Sequence, residues 1–161
     1  MKTSRFVAAL VLPIVSACSN TEQPLEATIY PVSADLTVAI TTALQDEYHA
    51  EQIYRRVLAD HGAVLPFVNI VVAEQRHASA LGGLLAKRNI SVPVSLWRTS
   101  NVPQFSSVQA ACAAAADAEV ENIALYDALL DGDLPDDIRT VFLNNRRASL
   151  EGHLPAFSRC R

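Results

Sequence analysis

Runs of positive charge are missing from this chain of 161 residues. Its 13 lysines and arginines are scattered among 17 aspartates and glutamates, with no aromatic–basic interleaving. That pattern excludes nucleic acid as an expected partner. Methionine does not occur after residue 1, and the three cysteines, Cys18, Cys112 and Cys160, stand far apart. With no Cys-x-x-Cys pair, the chain has neither a paired-thiolate iron centre nor a covalent haem attachment motif. Long apolar runs are lacking as well. The longest, Phe6 to Ala17, is about a dozen residues, roughly 18 Å as a helix against a bilayer core of about 30 Å. No solenoid repeat is present, and the one low-complexity tract is the alanine-rich stretch near residue 115.

The N-terminal run does have a meaning. Lys2 and Arg5 precede it and Val15-Ser16-Ala17-Cys18 closes it, which resembles a bacterial lipobox ahead of a lipidated cysteine. The resemblance implies a signal peptide over residues 1–17, acyl chains on Cys18, and a mature protein tethered to the membrane of a bacterial cell envelope. Ser19 after the cysteine leans towards the periplasmic side of the outer membrane. Removing Lys2 and Arg5 leaves 11 basic residues against 17 acids, a formal charge of about −6. Residues 18–34 are polar, carry two prolines and read as a tether to one domain over 35–161.

Four amphipathic helical segments make up that domain. The first runs from Ser33 or Asp35, as N-cap, to Gly62 as a stop, with Leu36, Ile40, Ala43, Leu44, Tyr54 and Leu58 on one face. Glu47 and Glu51 project into the centre of that face. The second spans Pro66 to about Lys87 and carries Glu74 inside its apolar stripe and His77 at the border, while Gly82-Gly83 weakens its far end. The third, from Ser106 or Ser107 to about Leu130, presents Glu119, with Asn122 one turn on. The fourth, from Pro135-Asp136 to near Cys160, presents His153 beside Ile138, Phe142 and Leu150, with Arg146 on the stripe and Pro155 loosening its last turns. Tyr48, Tyr54, Tyr126 and Trp97 read as packing residues, and His49 and His61 as surface residues.

Short turns make helices one and two, and three and four, antiparallel neighbours. Between the pairs lie roughly 17 residues with prolines and no helical period, enough to span about 55 Å when extended. Two hairpins joined by one long crossing is an all-α four-helix bundle of the ferritin-like topology, distinct from up-down-up-down. Each helix then places a metal-capable side chain on its buried stripe. An ionised carboxylate buried without a partner costs several kcal/mol, so three or four together need countercharge, which two divalent cations would supply.

"DEYHAEQIY", "PFVNIVVAEQRH", "AEVENIALYDALL" and "ASLEGHLPAF" resemble a prokaryotic ferritin-like family across residues 36–160, within the di-iron carboxylate superfamily of rubrerythrins and bacterioferritins. The resemblance implies a metal site of Glu47, Glu74, His77, Glu119 and His153 that holds iron, with manganese as the alternative. It also implies peroxidase- or ferroxidase-type redox activity drawing electrons from an external donor. A full set has Glu-x-x-His on the fourth helix too, but position 150 is Leu; Glu51 or the amide oxygen of Asn122 could complete the site. A non-catalytic metal-binding or sensing module and a metal-free structural lipoprotein stay open beside this reading, as does a homo-oligomer.

Cys112 lies seven residues before Glu119, and Cys160 seven after His153. On antiparallel helices both displacements, roughly 10 Å, run the same way along the bundle. In an oxidising compartment this predicts a Cys112–Cys160 disulfide, with a thiolate metal site as the lesser reading.

Overall fold

The computed structural model describes residues 33–160. The expected leader, Cys18 and nearly all of the tether lie outside the described residues. Helix α1 spans Ala34–His61, α2 Phe67–Ala86, α3 Val108–Leu130, α4 Asp136–Ala148 and α5 Leu154–Cys160, with a π-helical turn over Ser149–His153 joining the last two. The fold is all-α: α4, the π-turn and α5 form one helical run, the fourth rod of a bundle with two short-turned hairpins and one long crossing. Among the described residues no helix is long and apolar enough to cross a membrane.

Local chemistry sets the ends of these helices. The Ser33 hydroxyl accepts from the Leu36 N–H at 3.2 Å and the Ser107 hydroxyl from the Ala110 N–H at 3.1 Å, each satisfying a donor the helix cannot pair internally. Gly62 ends α1 at φ +81°, a left-handed conformation that favours glycine, and its N–H reaches the Leu58 carbonyl at 3.0 Å. Gly82 does not break α2. It gives the crossing segment room, since a Cβ there would lie 3.2 Å from a Val92 methyl. The crossing is also pinned to α1, where Gln45 donates to the Val94 carbonyl and accepts from the Leu96 N–H, both at 3.0 Å.

The interior is divided along the bundle axis. One apolar cluster gathers Ile40, Leu44, Leu81, Leu85, Tyr126 and Phe142; the other gathers Tyr54, Val57, Phe67, Ala115, Ala116 and Phe157. On every helix the residues between these two clusters are the buried polar ones: Glu47 on α1, Glu74 on α2, Glu119 and Asn122 on α3, and Asn145, Ser149 and His153 on the fourth rod. The Cys112–Cys160 disulfide, with a Cα separation of 5.7 Å, fastens α5 to α3 within the second cluster. Cys112 and Cys160 therefore carry no thiolate for a metal. At the opposite end Arg88 and Lys87 clasp Asp137 at 2.7 and 2.8 Å, joining α2 to α4 and holding the Asp137 carboxyl down at about 2, chiefly through Arg88.

The fourth rod departs from the expected regular helix. The Leu154 N–H bonds back to the Ser149 carbonyl, five residues away, so the turn holds one extra residue. Pro155 accounts for it: its ring lacks an N–H and would crowd the carbonyl four residues earlier in a regular helix. Counting back from His153 by three and seven residues projects Leu150 and Arg146 inward. The extra residue moves the inward positions to Ser149 and Asn145, both buried, while Leu150 is 40% exposed and Arg146 pairs with Asp127 at the surface.

Candidate metal centre

Two groups of ligand atoms meet in the polar layer: Glu47, Glu74 and His77, and Glu74, Glu119 and His153, each with all its atoms within 4.8 Å of one another. Glu74 belongs to both and divides its oxygens between them. Its Oε2 lies 3.0 Å from His77 Nδ1 and its Oε1 3.1 Å from His153 Nδ1. Glu47 Oε2 closes the first group at 3.1 Å from His77 Nδ1, and Glu119 Oε1 the second at 3.4 Å from His153 Nδ1. The imidazole rings stack with centroids 5.4 Å apart.

The outer carboxylates are held by phenols. Tyr126 donates to Glu47 Oε1 at 2.5 Å, and Asn145 donates to Tyr126 at 2.9 Å and to Glu47 Oε1 at 3.5 Å. Tyr54 donates to Glu119 Oε1 at 2.8 Å. The arrangement is reciprocal: each tyrosine stands seven residues after one glutamate, two turns along the same face, and binds the glutamate of the other helix. Burial raises both phenols well above their usual range, so they remain donors. Reading Tyr54 and Tyr126 as packing residues missed this role. The repeated Glu-x₆-Tyr spacing on α1 and α3 is the signal that could have revealed it.

Electrostatics in this layer follow from burial set against contact. Burial pushes the Glu47 carboxyl up to about 7. Burial pushes Glu74 up too, but His153 and His77 together outweigh it and hold that carboxyl below its ordinary value. Burial alone would lower both imidazoles; Glu47 and Glu74 instead raise His77 to about 9, and Glu119 and Glu74 raise His153 to about 10. Without a metal, both imidazoles are thus held towards their protonated forms, two positive charges set against Glu47, Glu74 and Glu119.

His153 Nδ1 is buried and makes no hydrogen bond. Both carboxylate oxygens beside it lie off the direction a hydrogen bond requires, so their attraction is one of charge. A proton there is poorly used, whereas a cation between the three atoms would meet all of them. Mixed carboxylate and imidazole donors without thiolate could hold a divalent metal ion. The residues present therefore fit a metal of that kind.

The other sequence candidates sit outside both groups. Glu51 accepts from Arg55 at 2.8 Å and Gln75 at 2.9 Å. The amide oxygen of Asn122 accepts from Ser149 at 2.8 Å, while its nitrogen donates to Asp46 at 2.7 Å. Ser149, one α-turn-plus-one before His153, stands where a second carboxylate of the fourth rod would project. His49 and His61 are not simple surface residues: His49 stacks on Trp97 with centroids 3.9 Å apart, and His61 Nε2 lies 3.0 Å from the Phe105 carbonyl.

No protein-family model matches the sequence, and no curated protein matches it. In three dimensions the chain is similar to the crystal structure of hypothetical protein MJ0754 from Methanococcus jannaschii, with a TM-score of 0.71 and 24% identity over 81% of each chain. At that identity the likeness speaks for the fold alone, an all-α bundle of four helices.

Proposed function

We propose that this chain is a ferritin-like metalloprotein that holds two iron ions, with manganese as the alternative, in the layer formed by Glu47, Glu74, His77, Glu119 and His153. The observation that carries the reading is the division of Glu74 between two histidine–glutamate groups, one oxygen to each. Bound iron would supply redox chemistry with oxygen or peroxide, using an external electron donor. The protein's part is to orient and to move protons. Tyr126 with Asn145, and Tyr54, each restrain one outer carboxylate. The two Nδ1 atoms give up their protons on loading, because proton and metal compete for the same nitrogen. Lipidation at Cys18, with attachment on the periplasmic side of the envelope, belongs to the proposal on the sequence evidence.

The test is the iron and manganese content of protein purified without chelator, with an optical spectrum after aerobic iron loading. About two ions per chain are expected, and neither in a Glu74→Ala variant that keeps its helical circular dichroism. An iron-soaked wild type with no bound metal sinks the reading. A second reading has its own support: His77 Nδ1 bonds both Glu47 and Glu74, so a protonated imidazole can offset part of the layer's charge without a metal. That structural, metal-free bundle predicts an empty and equally stable protein in the same assay. Metal bound without oxygen or peroxide consumption would mark a non-catalytic binding or sensing module.

A further inference from the structure

A cavity of about 110 Å³ lies between α1 and α3 and has Glu74, Glu119 and Tyr54 in its wall. A water molecule needs only about 10–15 Å³ of such space, so the cavity has room for a small organic molecule. Its existence follows from composition: Ala50 on α1 faces Ala114, Ala115 and Ala118 on α3, where larger side chains would fill the gap. The alanine-rich tract is thus the wall of a chamber beside the candidate metal centre.

The lining is graded. Helices α1 and α3 run antiparallel here, since Glu47 meets Tyr126 and Tyr54 meets Glu119. Asp46, Glu121 and Asn122 therefore gather at one end, and Ile53, Phe105 and Ala115 at the other. Asp46 and Ile53 are seven residues apart, roughly 10 Å along the helix. No lysine or arginine lines the cavity. His49, also in the wall, is kept towards its neutral form by burial. An anionic ligand would meet Asp46 and Glu121 at one end and alanine at the other, with no lysine or arginine to receive its charge.

We propose that this cavity binds a small organic ammonium ion, its charged head between Asp46 and Glu121 and its short alkyl body among the alanines, alongside Glu119. As a substrate pocket of the metal centre the inference rests on the preceding reading; as a binding site it stands without it. The head group meets Asp46, which also accepts from Asn122, and the exposed Glu121, while the alkyl body leaves water for an apolar wall, so charge and shape select together.

Saturation-transfer NMR titrations of n-butylammonium, n-butanol and butyrate into the metal-free full chain test the proposal directly. Saturable binding of n-butylammonium is expected, at least about tenfold tighter than butyrate, the scale of one charge-assisted contact. Asp46→Asn should weaken the ammonium about tenfold and leave butanol unchanged. Ala118→Leu, a half-buried change that the helix tolerates and that fills the chamber, should abolish saturation by both. Absence of ammonium binding, equal affinity for butyrate, or unaltered binding in Ala118→Leu would overturn the pocket whatever the metal content. Repeating the titration in the presence of added manganese separates the two ideas. Paramagnetic broadening of the bound alkyl signals supports both, and saturable binding without broadening supports the pocket while striking the metal reading.

Discussion

The two hairpins of the bundle are built from different materials. The first, α1 with α2, consists of unbroken helices and supplies a complete candidate ligand group from its own residues: Glu47, Glu74 and His77. The second, α3 with the fourth rod, supplies only Glu119 and His153 and borrows Glu74. Where a fourth carboxylate would stand it has Ser149, spent on Asn122, and its helix passes through a π-turn. The second hairpin is also the one with a disulfide. One half of the layer is self-sufficient; the other is completed by its neighbour and held by a covalent staple.

Removing one histidine at a time is the harshest probe of that asymmetry. Under the metal reading His153→Ala leaves the first group whole, and content falls from about two ions per chain to about one. His77→Ala also leaves one group, but frees the Glu74 oxygen it orients. The residual ion should then bind about 10–100-fold more weakly than in His153→Ala, the usual cost of losing an orienting partner. Equal residual affinities by calorimetry would erase the distinction between the halves.

The covalent staple offers a second probe that needs no metal. Cys112 and Cys160 close a loop of sequence separation 48. Chain entropy sets the expected loss for the Cys112→Ser, Cys160→Ser double variant at about 4 kcal/mol. Denaturant midpoints give the total, and hydrogen exchange localises it. The α3 and α5 amides should lose protection first, while those of α2 near Glu74 keep theirs longest. Uniform loss across both hairpins would show that the staple serves the whole bundle alike.

Acidity separates the halves more gently. His77 and His153 are raised to about 9 and about 10, so each contributes stability present below the ordinary histidine range and lost as pH rises through those values. Glu47, raised to about 7, keeps a proton in the fold that the unfolded chain releases, so it too costs stability as pH rises towards 7. Glu74, held low, acts in the opposite sense and loses its contribution only on acidification. The thermal midpoint of chelator-treated protein should therefore decline from about pH 5 to about pH 10. His153→Ala should remove the most alkaline part of that decline, and added manganese should reverse its slope by displacing the protons.

Much of this architecture is legible in the sequence because helix periodicity is arithmetic. Ser33, Ser107 and Gly62 mark ends, and Glu47, Glu74, His77, Glu119 and His153 fall on apolar stripes from which the distances bring them together. Glu51 lies on the stripe of α1 as well, yet Arg55 on the same helix and Gln75 from α2 draw it aside. The Arg55 pairing is legible from its four-residue spacing, whereas the contact from α2 is not. Asn145, Ser149 and the phenol contacts were hidden for a different reason: each depends on register or on a neighbour across the bundle, which one helix considered alone does not contain.

Position 150 turns that lesson into the mildest prediction. A regular fourth helix would point residue 150 into the layer, and Leu150→Glu would then restore the missing carboxylate beside His153. The π-turn instead puts the side chain at the surface, 40% exposed. Leu150→Glu should consequently change stability by no more than about 0.5 kcal/mol and leave metal content and the alkaline stability decline as they are. Ser149→Ala, one residue away, removes a buried hydroxyl bonded to Asn122 and should cost about 1 kcal/mol. The contrast between adjacent positions is what the extra residue creates. If Leu150→Glu instead tightened metal binding, the rod would have reverted to α-helical register, and Pro155 would not be what sets the inward face of the second hairpin.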